Sequence, residues 1–251
     1  MLVSLSREDA YHLSKVLKKE VGDVIEIFCS TSFRTFEARL SKISRSEAYA
    51  IIENEFERNH IAPVTTVIGL VKPSVCDEIV EKLVEAGALE IRFFLADYSQ
   101  EKLTQAVIES RIERFEKIKT SALKQSKSSV ATRITVSQSL KFALEDLHKD
   151  KKSKENEFRG VCCIPNQRQV PTLTTLFSSK FRQNSSLENS PNCDDSSLII
   201  GPEGGLSLEE IDLALSYDYA PVSLGPTVLR TQTAAVVGVA TLHMLLQPNN
   251  C

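Results

Sequence analysis

Several features that would assign this chain to a familiar class are missing from its sequence. None of its 251 residues belongs to an apolar run of membrane-spanning length, and the first residues contain no apolar signal core. The six cysteines show neither CxxC spacing nor a regular framework, which argues against a disulfide scaffold and a zinc site. We therefore expect a cytosolic protein without a membrane segment, with reduced thiols and no metal.

The standard phosphate-binding loops are missing as well. The glycine-rich stretch GPEGG at 201–205 does not have the spacing of a GxGxxG fingerprint, and no Lys-Ser/Thr pair follows it as in a Walker loop. Net charge is −3, which on its own argues against a nucleic-acid binder. The cations are concentrated between 101 and 160, where either an RNA-facing surface or an ordinary solvated helix would explain them.

The stretch around GPEGG is nevertheless the best candidate for a binding loop. The apolar run 198–200 predicts the end of a buried strand, and the Gly and Pro residues after it force a turn. Ser207 and Glu210 have the spacing of a capping box, which predicts a helix. Apolar residues available for the buried side of that helix are Ile211, Leu213 and Leu215. Such an arrangement exposes backbone amides where open α/β sheets bind ligands, although an ordinary strand-to-helix connection explains this stretch equally well.

A second corner of the same kind follows about twenty residues later. Val222 to Leu224 form a short apolar run that predicts a strand, and Gly225-Pro226 ends it. Thr231 or Thr233 can cap the helix that follows. Two such corners after two short strands indicate paired loops that line one pocket.

Taken together, IIGPEGGLSLEEIDLA and VSLGPTVLRTQTAA resemble, in residues and in spacing, the signature of the SPOUT-class 16S rRNA (uracil-N3)-methyltransferases. This resemblance implies an α/β fold whose parallel sheet carries a deep trefoil knot, and S-adenosylmethionine as methyl donor. It implies N3 of a specific uridine in 16S ribosomal RNA as the methylated atom. The cofactor-binding residues that it implies are Ile164, Pro165, Ile200, Gly201, Pro202, Gly204, Gly205, Leu224, Gly225, Val228, Leu229 and Arg230.

The remainder of the chain is consistent with two domains. Ser6 predicts a capped helix to Leu17, and alternating residues predict strands at 24–28, 35–42 and 48–53. SLSREDAYHLSKVLKKEVGDVIEIF resembles the small PUA-like β-barrel that precedes the methyltransferase domain in this family and helps to hold RNA. We therefore expect an RNA-binding barrel at 1–60 and the knotted SPOUT domain at 64–251. The basic residues expected to contact RNA are Lys15, Lys18, Arg34, Arg114, Lys124 and Lys127.

Further elements are predicted within the second domain. The order strand 64–71, helix 75–87, strand 90–95 is a βαβ unit of the kind that builds parallel sheets. A helix is expected within 101–126 and a buried strand at 160–164, while 178–197, rich in Ser and Asn, predicts a mobile insertion. The last helix, 233–246, is apolar almost all round, which predicts burial by the sheet and by the second subunit of a homodimer.

Two charged residues are candidates for the chemistry. Uracil N3 carries a proton at neutral pH, so the site must supply a base or stabilise negative charge on the imide oxygens. Arg230 is the only Lys or Arg after residue 198 and has apolar neighbours in the sequence, so we expect it to orient the cofactor or stabilise the imidate. Glu203 is the candidate for pairing with it or accepting the proton, and a structural role at the turn is an equal alternative.

Two other functions fit part of the sequence. A knotted ribose 2′-O-methyltransferase of tRNA or rRNA would share the two corners but not the PUA-like start. A non-catalytic RNA-binding relative would explain three departures from the family pattern, namely Lys18 and Lys127 in place of arginine and Gln232 in place of glutamate.

Overall fold

The computed structural model describes residues 1–29, 34–56, 63–99, 103–126, 130, 132–149, 160–164, 170–181 and 196–246. The chain forms two compact units, Met1–Asn59 and His60–Cys251.

The first unit is built on a four-stranded antiparallel sheet of order β1-β4-β3-β2. The strands are β1 (Leu2–Ser4), β2 (Val24–Cys29), β3 (Arg34–Ile43) and β4 (Ala48–Phe56). Small and branched side chains on one face of this sheet form its core, among them Ile25, Ala38, Leu40 and Ala50. The predicted β-rich unit is confirmed. The strand β1 was not predicted, because it is only three residues long.

A short helix follows β1 in this unit. As predicted, Ser6 caps it, since the Ser6 side chain accepts a hydrogen bond from the backbone N–H of Asp9 (3.1 Å). The α-helix α1 (Arg7–Tyr11) continues as a π-helical segment, His12–Val16. Lys18 then adopts a positive φ of 49°, a left-handed conformation that cannot continue a right-handed helix.

The second unit contains a six-stranded parallel sheet of order β10-β8-β9-β5-β6-β7. The strands are β5 (Val64–Gly69), β6 (Glu90–Phe94), β7 (Arg133–Ser137), β8 (Gly160–Cys163), β9 (Ser196–Ile200) and β10 (Tyr219–Val222). The helices are α2 (Pro73–Glu85), α3 (Gln105–Ser126), α4 (Leu140–His148), α5 (Leu173–Phe181), α6 (Leu208–Ser216) and α7 (Thr231–Leu246). The predicted α/β class with a parallel sheet is confirmed, and the trefoil knot stays a prediction from the resemblance.

Two predictions about the elements of this unit need correction. The strand expected at 222–224 is β10, which ends at Val222 because Ser223 and Gly225 form a tight turn there. Of the expected insertion at 178–197, 182–195 lie outside the described residues, while its two ends belong to α5 and β9.

The last helix, α7, packs tightly against the sheet. A Cβ added at Gly238 would collide with the end of the Leu198 side chain in β9, so a larger residue there would have to displace Leu198. The opposite face of α7 leaves Val237 and Met244 exposed. Among the described residues, no helix is both long and apolar enough to span a membrane.

Candidate functional site

The two glycine-rich corners meet at the carboxyl edge of the parallel sheet. Loop 1 (201–207) follows β9 and loop 2 (223–230) follows β10, and a cavity of about 280 Å³ lies between them. Its walls come from the ends of β8 and β9, both loops and the first turn of α7. The expectation that the two loops line one pocket is confirmed, while the ligand of that pocket stays a prediction.

Most of the predicted cofactor-binding residues line this cavity. They are Ile164, Ile200, Gly201, Pro202, Gly205, Leu224, Val228, Leu229 and Arg230. Gly204 and Gly225 belong to the two loops but do not line the cavity, and Pro165 lies outside the described residues. The sequence reasoning missed Cys163, Ser223, Thr227, Thr231 and Ala234. The signal for Cys163 was available, because it ends β8 directly before Ile164.

Loop 1 folds back over the end of β5, and its glycines make that path possible. A Cβ at Gly69, the last residue of β5, would collide with the Pro202 ring. A Cβ at Gly201 would lie 2.9 Å from backbone atoms of Gly205 and Leu206, which is too close to accommodate without moving the loop. Gly205 has a φ of 75°, where glycine is strongly favoured. The loop is therefore closed on itself and seated against the sheet.

The predicted capping box fixes the end of loop 1. The Ser207 side chain accepts a hydrogen bond from the backbone N–H of Glu210 (3.0 Å), and the Glu210 carboxylate accepts one from the backbone N–H of Ser207 (2.8 Å). Ile211 faces the core as expected, whereas Leu215 is 41% exposed and does not belong to the buried side. Ala214, the residue before it, is fully buried, so Leu215 lies on the solvent side of the helix.

Glu210 also reaches a second segment, which sequence reasoning missed. Its carboxylate accepts a hydrogen bond from the backbone N–H of Asp97 (3.1 Å), and the Ser207 hydroxyl donates to the Asp97 carboxylate (2.6 Å). Glu210 is 4% exposed. Burial raises the pKa of Glu210, and the two backbone amides that it accepts from oppose that shift.

Loop 2 is held by local hydrogen bonds and by one bond to loop 1. The Ser223 hydroxyl donates to the carbonyl of Gly225 (2.8 Å), and Gly225 adopts a φ of 140°. Thr231 or Thr233 was expected to cap α7, but both lie within that helix. Thr231, its first residue after loop 2, donates its hydroxyl to the carbonyl of Gly201 (3.2 Å) and so joins the start of α7 to loop 1.

The two predicted catalytic residues both line the cavity. Arg230 has apolar neighbours in the sequence, yet its side chain is exposed, as is that of Glu203. Within the described part of the chain neither forms an ion pair, so the expected pairing of the two is not observed. Neighbours in sequence do not determine what covers a side chain, and here loop 1 exposes Glu203 and loop 2 exposes Arg230 at the cavity.

The cysteines at the end of β8 are poor nucleophiles. Burial raises the pKa of Cys162 to about 12, with a smaller contribution from the charge of Glu210. Burial likewise raises the pKa of Cys163, which lines the cavity. Both thiols are therefore protonated at neutral pH, when a nucleophilic cysteine would be a thiolate.

The predicted RNA-contacting residues are distributed over both units. In the first unit Lys15 and Lys18 are exposed, and Arg34 begins β3. In the second unit Lys124 is exposed near the end of α3, and Lys127 lies outside the described residues. Arg114 forms a bidentate ion pair with Asp77 of α2, so a phosphate would have to displace or share that carboxylate.

Known proteins resemble this chain over nearly its whole length. A model of the RNA methyltransferase domain family matches residues 57–243. Ribosomal RNA small subunit methyltransferase E of Buchnera aphidicola is 26% identical over 245 residues, which are 96% of this chain and 87% of that protein. The protein of the same name from Synechocystis is 28% identical over 98% of this chain and 74% of its own length.

A solved structure supports the same fold. The Ribosomal RNA small subunit methyltransferase E of Neisseria gonorrhoeae, crystallised with S-adenosyl methionine bound, superposes with a TM-score of 0.72 at 22% identity. The superposition covers 98% of this chain and 92% of that one. At 22% identity this similarity supports the fold alone.

Proposed function

The chain belongs to the RNA methyltransferase family, and we propose that it uses S-adenosylmethionine to methylate N3 of one uridine in 16S ribosomal RNA. The observation that carries this proposal is the convergence of loops 1 and 2 on one cavity with a guanidinium on its wall. The matched family gives the reaction class. The relatives named for the ribosomal small subunit supply the substrate class.

The composition of the cavity fits the proposed methyl donor. Apolar side chains such as Ile164, Ile200 and Leu229 provide surfaces for an adenine ring. Gly201 and Gly205 bring main-chain hydrogen-bonding groups to the cavity wall without side chains in between. When bound, the donor supplies an electrophilic methyl group on a sulfonium, and the protein's main task is to position the nucleophile for an in-line displacement.

Arg230 is the residue best suited to the substrate. Loss of the N3 proton leaves negative charge spread over the uracil imide, and a guanidinium that pairs with no carboxylate of the described residues can stabilise it through two hydrogen bonds. Its exposure beside the cavity leaves these donors available to an incoming base. Glu203 on the same wall is the candidate acceptor for the N3 proton.

We assign RNA binding to both units. Residues 1–60 would act as a PUA-like RNA-binding domain through Lys15, Lys18 and Arg34, and 64–251 as the SPOUT domain with its knot. Contacts of these cations with phosphates would make binding strongly dependent on salt. The target base must also leave its stack, which costs a few kcal/mol that such contacts offset.

We also propose that the chain forms a homodimer through α7. The exposed face of α7 carries Val237, 37% exposed, and Met244, 78% exposed, on a helix that has no cation or carboxylate. A second copy of the chain would cover this face. Sedimentation at micromolar concentration should give a dimer, and Met244→Asp should shift it toward the monomer.

The decisive test examines small-subunit rRNA from cells that lack this protein. Primer extension across wild-type rRNA should stop at one uridine, because N3 methylation blocks base pairing, and the stop should be lost without the protein. The wild-type gene should restore the stop. Arg230→Ala should not, because loss of one such donor costs about 100-fold or more in rate. Arg133→Ala, which removes an exposed arginine at the opposite edge of the sheet, is the matched control.

Two measurements separate the alternatives. Nuclease digestion and mass spectrometry distinguish N3-methyluridine from a ribose 2′-O-methyl product, which would indicate the other enzyme class. Calorimetry with S-adenosylmethionine tests the non-catalytic reading, since absence of binding to the wild-type protein would eliminate both methyltransferase functions.

A further inference from the structure

A turn beside loop 1 is not used by the proposed reaction. After β6, the backbone N–H of Ser99 donates to the carbonyl of Ala96 (2.9 Å), which places Asp97 and Tyr98 at the tip of a β-turn. Tyr98 is 63% exposed. An aromatic side chain is thus presented to solvent at the carboxyl edge of the sheet, the edge at which the cavity opens.

The turn is held rigidly. Asp97 is fixed on both sides, because its backbone N–H donates to the buried Glu210 carboxylate and its own carboxylate accepts from the Ser207 hydroxyl. Both partners belong to the capping box that ends loop 1. The position of Tyr98 is therefore set by the same group of hydrogen bonds that sets the cavity wall.

Tyr98 is also adjacent to loop 1 itself. A Cβ built on Gly204 would lie 3.9 Å from the Cβ of Tyr98. Gly204 does not line the cavity, whereas its neighbours Glu203 and Gly205 do. Tyr98 consequently stands at the outer rim of the cavity, separated from it by the thickness of one loop.

We propose that Tyr98 is an RNA-contacting residue on which a base flanking the target uridine stacks while the target enters the cavity. This inference rests on the proposed function. A base that leaves its stack frees a face of its neighbour, and single-stranded RNA is commonly read by stacking such bases on aromatic rings. The exposed carboxylates of Asp97 and Glu203 repel phosphate, so contact at this rim is made by the base.

The absence of tryptophan from the chain allows a direct test. Tyr98→Trp introduces a single indole, whose fluorescence should be quenched when unmodified 16S ribosomal RNA is added, because a stacked base quenches it. Leu215→Trp is the matched control, since Leu215 is 41% exposed at the far end of α6. Quenching at position 98 no greater than at position 215 would overturn the proposal.

Steady-state methylation of small ribosomal subunits provides the second test. Tyr98→Ala should raise KM for the subunits about tenfold, the loss expected for one base stacked on an aromatic ring. Its kcat and its Kd for S-adenosylmethionine should stay within about twofold, since Tyr98 does not line the cavity. Tyr98→Phe should restore the wild-type KM and Tyr98→Leu should not. An unchanged KM for Tyr98→Ala would sink the assignment.

The two proposals fail in different ways. If wild-type protein methylates no rRNA while the indole at position 98 is quenched selectively, the proposed function is wrong and Tyr98 still contacts RNA. If methylation proceeds and the quenching is absent, the function stands and the assignment of Tyr98 is wrong.

Discussion

Buried carboxylates at the two edges of the parallel sheet have different kinds of partner. At the amino edge Glu90 lies 3.0 Å from Arg92, which lies 2.6 Å from Asp146. At the carboxyl edge Glu210 forms no ion pair with any described residue and accepts hydrogen bonds from two backbone amides instead. The ion pairs link side chains within β6 and between β6 and α4, whereas the hydrogen bonds to backbone amides fix the course of a loop. We infer that the amino edge contributes stability and the carboxyl edge contributes loop position.

The largest effect on stability is expected from Arg92→Met at the amino edge. Among the described residues it leaves Glu90, whose side chain is 10% exposed, with Arg133 at 3.5 Å as its remaining ion-pair partner. Breaking a buried pair from one side costs about 3–5 kcal/mol, which equilibrium urea unfolding will measure. Affinity of the folded protein for S-adenosylmethionine should not change.

A double variant sharpens this prediction. Adding Glu90→Leu to Arg92→Met removes the stranded carboxylate and should recover most of the loss. Arg133→Met, at a side chain that is 67% exposed, should cost less than about 1 kcal/mol. If the double variant is no more stable than Arg92→Met alone, the unpaired Glu90 carboxylate is not the cause of the stability loss.

Glu210→Gln should come next and should affect both properties. One of the two backbone amides, Asp97 or Ser207, would face an NH₂ group in place of an oxygen, at a cost of about 1–3 kcal/mol. Because these amides fix loop 1, the Kd for S-adenosylmethionine should rise as well, unlike in Arg92→Met. Glu209→Gln makes the same change at an exposed neighbour and should alter neither.

The pH dependence of Glu210 has a definite sign. Burial raises its pKa in the folded protein, so its carboxyl stabilises the fold most below the unfolded value of about 4.3. That contribution falls as pH rises from this value through the raised folded pKa. Thermal unfolding followed upward from pH 4 should show this decline in the wild type, and Glu210→Gln should remove it.

Thr231→Val should have a smaller effect, confined to the cavity. It removes the hydroxyl that donates to the carbonyl of Gly201, a bond worth about 1 kcal/mol, or about fivefold in affinity for the methyl donor. Calorimetry should show this weakening, with Thr231→Ser close to wild type. Thr233→Val, on an exposed position of the same helix, should bind normally. Equal affinities for all three would mean that the bond between the loops does not position them.

Asp146→Asn should have the smallest effect. The Arg92 guanidinium, by its hydrogen bond, lowers the pKa of Asp146, but this carboxylate is 55% exposed and solvent screens it. We expect a loss of less than about 1 kcal/mol near pH 7. The wild type should lose this contribution as pH falls from about 3.9 through the lowered pKa, opposite in direction to Glu210. A stability difference from the wild type that grows below pH 3 would contradict this sign.

Local spacing predicted much of the carboxyl edge. Ser207 and Glu210 are three residues apart, so their mutual hydrogen bonds follow from one turn of helix. The glycines and prolines of loops 1 and 2 likewise indicated turns directly from the sequence. The partners beyond one element could not be found this way. Asp97 is 113 residues from Glu210, and the local sequence around either residue does not predict their contact.

Exposure was equally hard to anticipate. Apolar neighbours in the sequence do not bury Arg230, and one of them, Val228, is itself 73% exposed. The sequence order also hides that β6 and β9 lie on either side of β5. Sheet order is a long-range property, and it decides which loops can touch.

Loop 1 packs against the sheet at Gly69, a position of β5 that has no side chain. Pro202 fills the space that any residue larger than glycine at position 69 would need. Loop 1 and a central strand therefore share one steric requirement, although they are far apart in the sequence. Grafting this loop onto another parallel sheet would require a glycine at the end of the neighbouring strand as well as the loop itself.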